Sequence, residues 1–263
     1  MTKKHVLALF LTLFAFQLTQ SQVLISLLLG DKLNTGKISF GLEGGYNLSN
    51  ISNLEGAKAA SNFNLGFYFD LLLKENKNWF VHTGVIVKST MGANIDAYPL
   101  NDESLDNLFE DADVRRKINA FNIPILARYK FKNNLFVELG PMIGFMLKKS
   151  HDEFTAINLE DKEDELQYNR KIRDDHKLFD LGAQVGLGYQ LKAMHGMSVA
   201  VKYYQGVVDI NKEAMDKAHY NNSFYVVASI PIGAGEKAQA KNEAAKAKKE
   251  AKKASKEKAI NNI

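Results

Sequence analysis

The stretch LFVELGPMIGFML (135–147) decides how this chain is read. Leu135, Val137, Leu139, Pro141, Ile143, Phe145 and Leu147 fall on one side of an extended backbone, and Phe136, Glu138, Gly140, Met142, Gly144 and Met146 on the other. The period is two, that of a strand, and the apolar set is unbroken over the whole stretch. KISFGLEGGYNLSN (37–50) repeats the pattern: Ile38, Phe40, Leu42, Tyr46 and Leu48 oppose Ser39, Gly41, Glu43, Gly45 and Asn47. So does FDLGAQVGLGYQL (179–191), with Phe179, Leu181, Val185, Leu187 and Tyr189 against Asp180, Gly182, Gln184, Gly186 and Gly188.

Working outward from these stretches gives eight strands, near 37–50, 62–73, 79–93, 119–131, 135–149, 177–191, 197–209 and 222–232. Most are longer than the common strand of about 5–6 residues. They suit the roughly 9–11 residues that a tilted strand needs to cross a bilayer. The connections alternate. Those at 74–78, 132–134 and 192–196 are short, and those at 51–61, 94–118, 150–176 and 210–221 are long. An up-and-down membrane barrel sorts its connections this way, with periplasmic turns, external loops and both termini periplasmic.

Composition narrows the alternatives. The 263 residues are 46% hydrophobic and 24% charged, which excludes wholesale disorder. There is no cysteine, so disulfides, thiolate metal sites, a cysteine nucleophile and a cysteine-linked lipid anchor are all excluded. The net charge of +4 is unevenly placed: +2 lies in the first 21 residues and +5 in 236–263, leaving −3 for the rest. A nucleic-acid binder would carry its basic surface on the folded part, so nucleic acid is not expected as a partner. Residues 1–21 read as a secretory signal peptide, with Lys3 and Lys4 ahead of the apolar run 6–16 and small Thr19 and Ser21 before a cut at Gln22. Residues 22–36 form a periplasmic N-terminal segment, 37–233 the barrel and 234–263 a tail.

Alternation leaves open which face points outward, because a lipocalin-like barrel in solution keeps its apolar face inside. Two features favour a membrane barrel. Apolar-face aromatics cluster at both strand ends, as interfacial girdles do. Phe40, Phe69, Trp79, Tyr129, Phe131 and Tyr189 mark the periplasmic side, and Tyr46, Phe63, Phe121, Phe145, Phe179, Tyr203 and Phe224 the outer side. The opposite face carries Glu43, Asp70, His82, Lys88, Arg128, Glu138, Asp180 and Lys202 among glycines. In a narrow lumen these side chains can pair across the barrel, with glycines making room for them.

Taken together, KISFGLEGGYNLSNI (37–51), NWFVHTGVIVKSTMGA (78–93), FNIPILARYKF (121–131), NLFVELGPMIGFMLKK (134–149) and LFDLGAQVGLGYQL (178–191) resemble the PorT-like outer-membrane β-barrel family of Gram-negative bacteria. The resemblance implies a small eight-stranded outer-membrane protein and, for some members, a part in secretion or gliding machinery. It brings no catalytic motif and no cofactor.

Enzymatic readings have little to stand on. Ser150, His151 and Asp152, with Asp174, Asp175 and His176, bracket the 150–176 loop, yet no signature spacing joins them. Acids dominate the long loops, seven against three bases in 94–118 and nine against four in 151–176, without calcium-loop spacing. In the tail, Glu236, Glu243, Glu250 and Glu257 recur every seven residues among Ala and Lys, but no apolar seam accompanies them. This helical or disordered Lys/Ala-rich segment offers a cationic surface to the cell wall or an envelope protein.

The expectation is therefore an all-β, eight-stranded antiparallel transmembrane barrel in the outer membrane, in contact with lipid and lipopolysaccharide. Its role is structural or interactive, accessory to secretion or envelope assembly, with no enzyme activity, metal or cofactor. A soluble periplasmic lipid-binding barrel and a rim-active outer-membrane enzyme are the competing readings.

Overall fold

The computed structural model describes residues 37–73, 78–96, 109–158, 165–191, 196–213 and 217–232. The expected signal peptide (1–21), N-terminal segment (22–36) and tail (234–263) lie outside the described residues. Ten strands follow one another: β1 (Ile38–Ser52), β2 (Ala60–Leu72), β3 (Trp79–Asp96), β4 (Phe109–Lys130), β5 (Leu135–Met146), β6 (His151–Asn158), β7 (Glu165–Lys171), β8 (Phe179–Gln190), β9 (Ser198–Gly206) and β10 (Tyr220–Pro231). Eight of them close a ring in the order β3-β2-β1-β10-β9-β8-β5-β4, with β4 returning to β3. Every pairing is antiparallel. Closure leaves no edge in the ring, which is what a strand structure in lipid requires. Asn134, at φ 67, turns the tight β4–β5 hairpin in the left-handed region that asparagine tolerates.

The outer face is an apolar band. Leu139 is 61% exposed, and Leu65, Val85, Ile125, Val137, Val185, Leu187, Val201 and Val226 are exposed around the ring with it. At the end bearing the long connections, Phe121, Phe145 and Phe179 are register partners across β4, β5 and β8. Tyr46 with Phe63, and Tyr203 with Phe224, pair likewise. At the tight-turn end, Trp79 packs on Tyr129 with ring centroids 5.0 Å apart, and Tyr129 on Phe131 at the same separation. Phe40 differs from its expected place in an exposed girdle. It pairs with Phe69 on the outer side but is buried, its ring packed against Phe67 and Phe69.

Two expectations about the strands are corrected. The long stretches 94–118 and 150–176 are not simple loops. Strand β4 begins at Phe109, well beyond the ring, and its first half pairs with β6, which pairs in turn with β7. Val114, Phe154 and Ala156 face inward there, joining Ile51, Ile95, Ile118, Ile172 and Ile210 in a buried apolar cluster above the barrel. Arg115, Lys117, Glu153 and Thr155 are not buried, so these strands read as polar loop when scanned for an outward apolar face. The polarity of the molecule thus inverts along its axis, apolar outside across the ring and apolar inside beyond it.

The second correction concerns Lys88. A β-bulge shifts the β3 register between Ile86 and Ser89, so Val87 and Lys88 are both exposed. From Ser89 onward the opposite parity faces inward, which turns Met91, Ala93 and Ile95 toward the interior. Lys88 leaves the lumen for this reason, and its Nζ sits 5.3 Å from the centroid of the Phe63 ring on the outer surface.

Phe154→Ala removes a large side chain from the upper cluster and is expected to cost that region about 3–5 kcal/mol. Limited proteolysis should then cut β6–β7 faster while the barrel stays resistant to SDS at room temperature. Loss of SDS resistance in this variant would show that the upper cluster and the ring do not behave as separate layers.

Candidate functional site

Inside the ring, six side chains from six strands close a circuit of charge. Lys202 on β9 places Nζ 2.7 Å from Glu43 Oε1 on β1 and 3.2 Å from Glu138 Oε1 on β5. Glu138 Oε2 accepts Arg128 Nε from β4 at 2.7 Å. Arg128 Nη1 reaches Asp70 Oδ2 on β2 at 2.9 Å. Asp70 Oδ1 is 2.7 Å from His82 Nδ1 on β3, and His82 Nε2 is 3.5 Å from Glu43 Oε2, which closes the circuit. The other two ring strands support it. Ser229 on β10 donates Oγ to Glu43 Oε2 at 2.7 Å. On β8, a Cβ at Gly186 would lie 2.8 Å from Glu138 Cγ, and one at Gly188 would lie 2.2 Å from the Phe136 ring. The Arg128 guanidinium centre stands 4.3 Å from the centroid of that ring.

Three carboxylates face two permanent cations and one imidazole. His82 lies between two of the carboxylates, Asp70 and Glu43. All six side chains are buried or nearly so, and in such surroundings an ion survives only when paired and hydrogen-bonded. Asp180 also faces the interior but stands apart from the circuit, accepting Asn221 Nδ2 at 2.9 Å.

Toward the long-loop end lies an amide and hydroxyl layer, which a pattern of charges along the chain does not reveal. Asn47 Nδ2 donates to Ser223 Oγ (3.0 Å), Asn122 Nδ2 to Ser89 Oγ (2.7 Å), and Asn62 Nδ2 to Ser49 Oγ (3.0 Å). Their parity in the strands was the available signal. Toward the tight-turn end, a cavity of about 120 Å³ opens below the circuit, lined by Tyr68, Asp70, Phe80, Arg128 and Phe136. Lys130 and Gln190 hydrogen-bond across its mouth.

The rim residues weighed for catalysis are engaged elsewhere. Ser150 Oγ donates to Leu147 O, Asp152 holds Arg116 at two 2.8 Å contacts, and His151 Nε2 lies 3.2 Å from Glu153. His176 Nδ1 is spent on Ile172 O at 2.9 Å. Among the described residues, no group of three or more His, Asp or Glu side chains is placed to hold a metal ion.

Beyond the ring, burial pushes the His176 imidazole below its usual range, with the Arg116 guanidinium adding to the effect. Burial lowers His219 as well, against the pull of Asp209. Burial tends to raise Asp209, but the amides of Asn211 and His219 outweigh it and hold this carboxyl low.

A family model described as "Outer membrane protein beta-barrel domain" matches residues 20–212. No curated protein matches the chain. Among solved structures the chain is similar to Ail, the attachment invasion locus protein of Yersinia pestis, at 13% identity, covering 73% of this chain and 96% of that one with a TM-score of 0.34. Neisserial surface protein A is similar at 11% identity (73% and 97% covered, TM-score 0.36). The outer membrane protein OprG from Pseudomonas aeruginosa is similar at 14% (73% and 93%, TM-score 0.32).

Arg128→Met should destabilise the barrel by about 3–5 kcal/mol, since Asp70 and Glu138 lose their shared buried cation. Urea unfolding in micelles measures this, and a change under 1 kcal/mol would mean water or rearrangement satisfies both acids. The region above the ring should weaken in mild acid. Unfolded, both imidazoles take up a proton near their ordinary value of about 6.5, whereas folded they resist it. Stability of this region is therefore full above that value and falls as the pH drops below it. Asp209, also held low in the fold, works in the same sense in a lower pH window: its contribution is lost only as the pH falls below the ordinary carboxylate value of about 4. Hydrogen exchange at 172–180, corrected for intrinsic rates, should be faster at pH 5.5 than at pH 7.5, and His176→Gln should flatten the difference. Equal protection at both pH values would remove the claim.

Proposed function

Because the chain belongs to the outer membrane protein beta-barrel domain family, we propose that it serves as a structural and interaction barrel of the outer membrane, without catalytic activity and accessory to a secretion or envelope assembly. One observation carries this reading. The strand ends joined by the long connections, and the β6–β7 pair, lie at one end of the ring, while β1 begins and β10 ends at the other. Membrane barrels of this kind expose long loops to the outside and keep turns and termini in the periplasm. In that orientation the β4–β6–β7 sheet projects from the cell, and its outward side presents Arg115, Lys117 and Glu153 to partners. The circuit of charges ties six strands together across the lumen, which suits a rigid support better than a conduit. The narrower likeness to PorT-like barrels favours secretion machinery among the envelope assemblies, and the cationic tail then faces the cell wall.

Two measurements test the reading. Outer-membrane extracts should show a faster-migrating, unboiled form that shifts on boiling in SDS. Cysteine reporters can be placed freely, since the chain has none. Asp161→Cys should react with an impermeant thiol reagent on intact cells, and Met194→Cys only after permeabilisation. A detergent-free soluble protein would make the barrel a periplasmic lipid binder instead. Labelling of Met194→Cys from outside would reverse the orientation.

A further inference from the structure

The outer surface carries a groove of about 580 Å³ where β5 hands over to β6 and where β7 leads into β8, lined by Met146, Leu147, Lys148, Lys171, Arg173, Asp174 and Leu178. It lies directly beyond Phe145 and Phe179, register partners in the aromatic row that ends the apolar band. Leu178 is 54% exposed and gives the groove an apolar side. Lys148 and Lys171 are exposed, and neither forms an ion pair among the described residues. Arg173 gives one N–H to His176 O at 3.1 Å and keeps the rest of its guanidinium fork. Three cations thus face one carboxylate at the level where the barrel passes from lipid to water. Elsewhere beyond the ring, the cations Arg116, Lys117 and Arg170 are each paired with an acid.

We infer that this groove binds the phosphorylated headgroup of an anionic lipid in the external leaflet, with Lys148, Lys171 and Arg173 on the phosphates and the acyl chains lying along Leu178, Phe179 and Phe145. The chemistry fits both halves of such a molecule. Phosphate oxygens suit a guanidinium fork and ammonium donors. Apolar chains suit a surface whose alternative is water. The choice of leaflet rests on the orientation proposed above.

The test uses the full-length protein in zwitterionic detergent micelles, with lipid A as the phosphorylated probe. Binding should saturate, and the triple variant Lys148→Gln, Lys171→Gln, Arg173→Gln should bind on the order of 100-fold more weakly, at about tenfold or less per surface charge. Lys58→Gln, on a remote exposed lysine, should bind as the parent does. If the triple variant loses its heat-shifted mobility, the arginine-for-lysine variant Lys148→Arg, Lys171→Arg replaces it and should keep full affinity. Equal binding by the parent and a folded triple variant overturns the proposal. So does equal competition by inorganic phosphate, which would make the site one for soluble phosphate, or binding of an acidic peptide in preference to lipid A. Micelles have no sidedness, so this result stands apart from the cysteine labelling. Tight binding combined with periplasmic labelling of the long-loop end would overturn the leaflet alone.

Discussion

The arrangement of this barrel depends on what happens to Arg128. An arginine on the inner face of a membrane strand cannot reach water sideways through lipid, and the lumen of an eight-stranded ring leaves little room for water beside it. Its charge must be answered by other strands. Glu138 on the neighbouring β5 and Asp70, two strands away on β2, do so. Each acid then needs a second partner for its remaining oxygen. Glu138 meets Lys202, and Asp70 meets His82. Both of these cationic or polar partners converge on Glu43. The circuit is the consequence of satisfying each buried group in turn, and it pins the relative heights of six strands.

Room for this circuit comes from the residues that contribute nothing to it. Gly186 and Gly188 on β8 leave space that Glu138 and Phe136 occupy. Burying a charged layer in the ring has a second consequence: apolar side chains of the same strands go outward, where lipid accepts them. Beyond the lipid the logic reverses. Water surrounds the projecting parts of β3, β4 and β6, so their apolar side chains turn inward and build the cluster around Val114, Phe154 and Ile172. On β3 the change of sense needs an extra residue, and the bulge at Val87–Lys88 supplies it. On β1 no bulge is needed, because one unbroken inward parity passes from the polar Glu43 and Asn47 to the apolar Ile51.

Much of this was legible in the chain before folding is considered. Eight ring strands, their alternating connections and the outward sense of Leu135 to Phe145 follow from period and loop length. Tyr46, Phe121, Phe145, Phe179, Tyr203 and Phe224 are exposed at the strand ends where parity and position put them. The inward direction of Glu43, Asp70, His82, Arg128, Glu138, Asp180 and Lys202 follows from the same parity. The β6–β7 hairpin was illegible for a physical reason. Its apolar side chains face inward, opposite to those of the ring strands, and the acids on its exposed side have the composition of a solvated loop.

The sequence by itself determined that the strands alternate, that they close in an even-numbered ring with sorted connections, and which side of each strand carries charge. These properties are local, set by the two-residue period of an extended chain and by the length of chain between strands. Only the tertiary structure decided which charges meet. Glu43 and Lys202 are 159 residues apart, and their 2.7 Å contact exists because β1 and β9 flank β10 in a closed ring. It also decided that Lys88 leaves the lumen while Asp180 stays in it but apart from the circuit. Parity is lost at a bulge, and height along the barrel is set by strand register, neither of which is written in the spacing of any one strand.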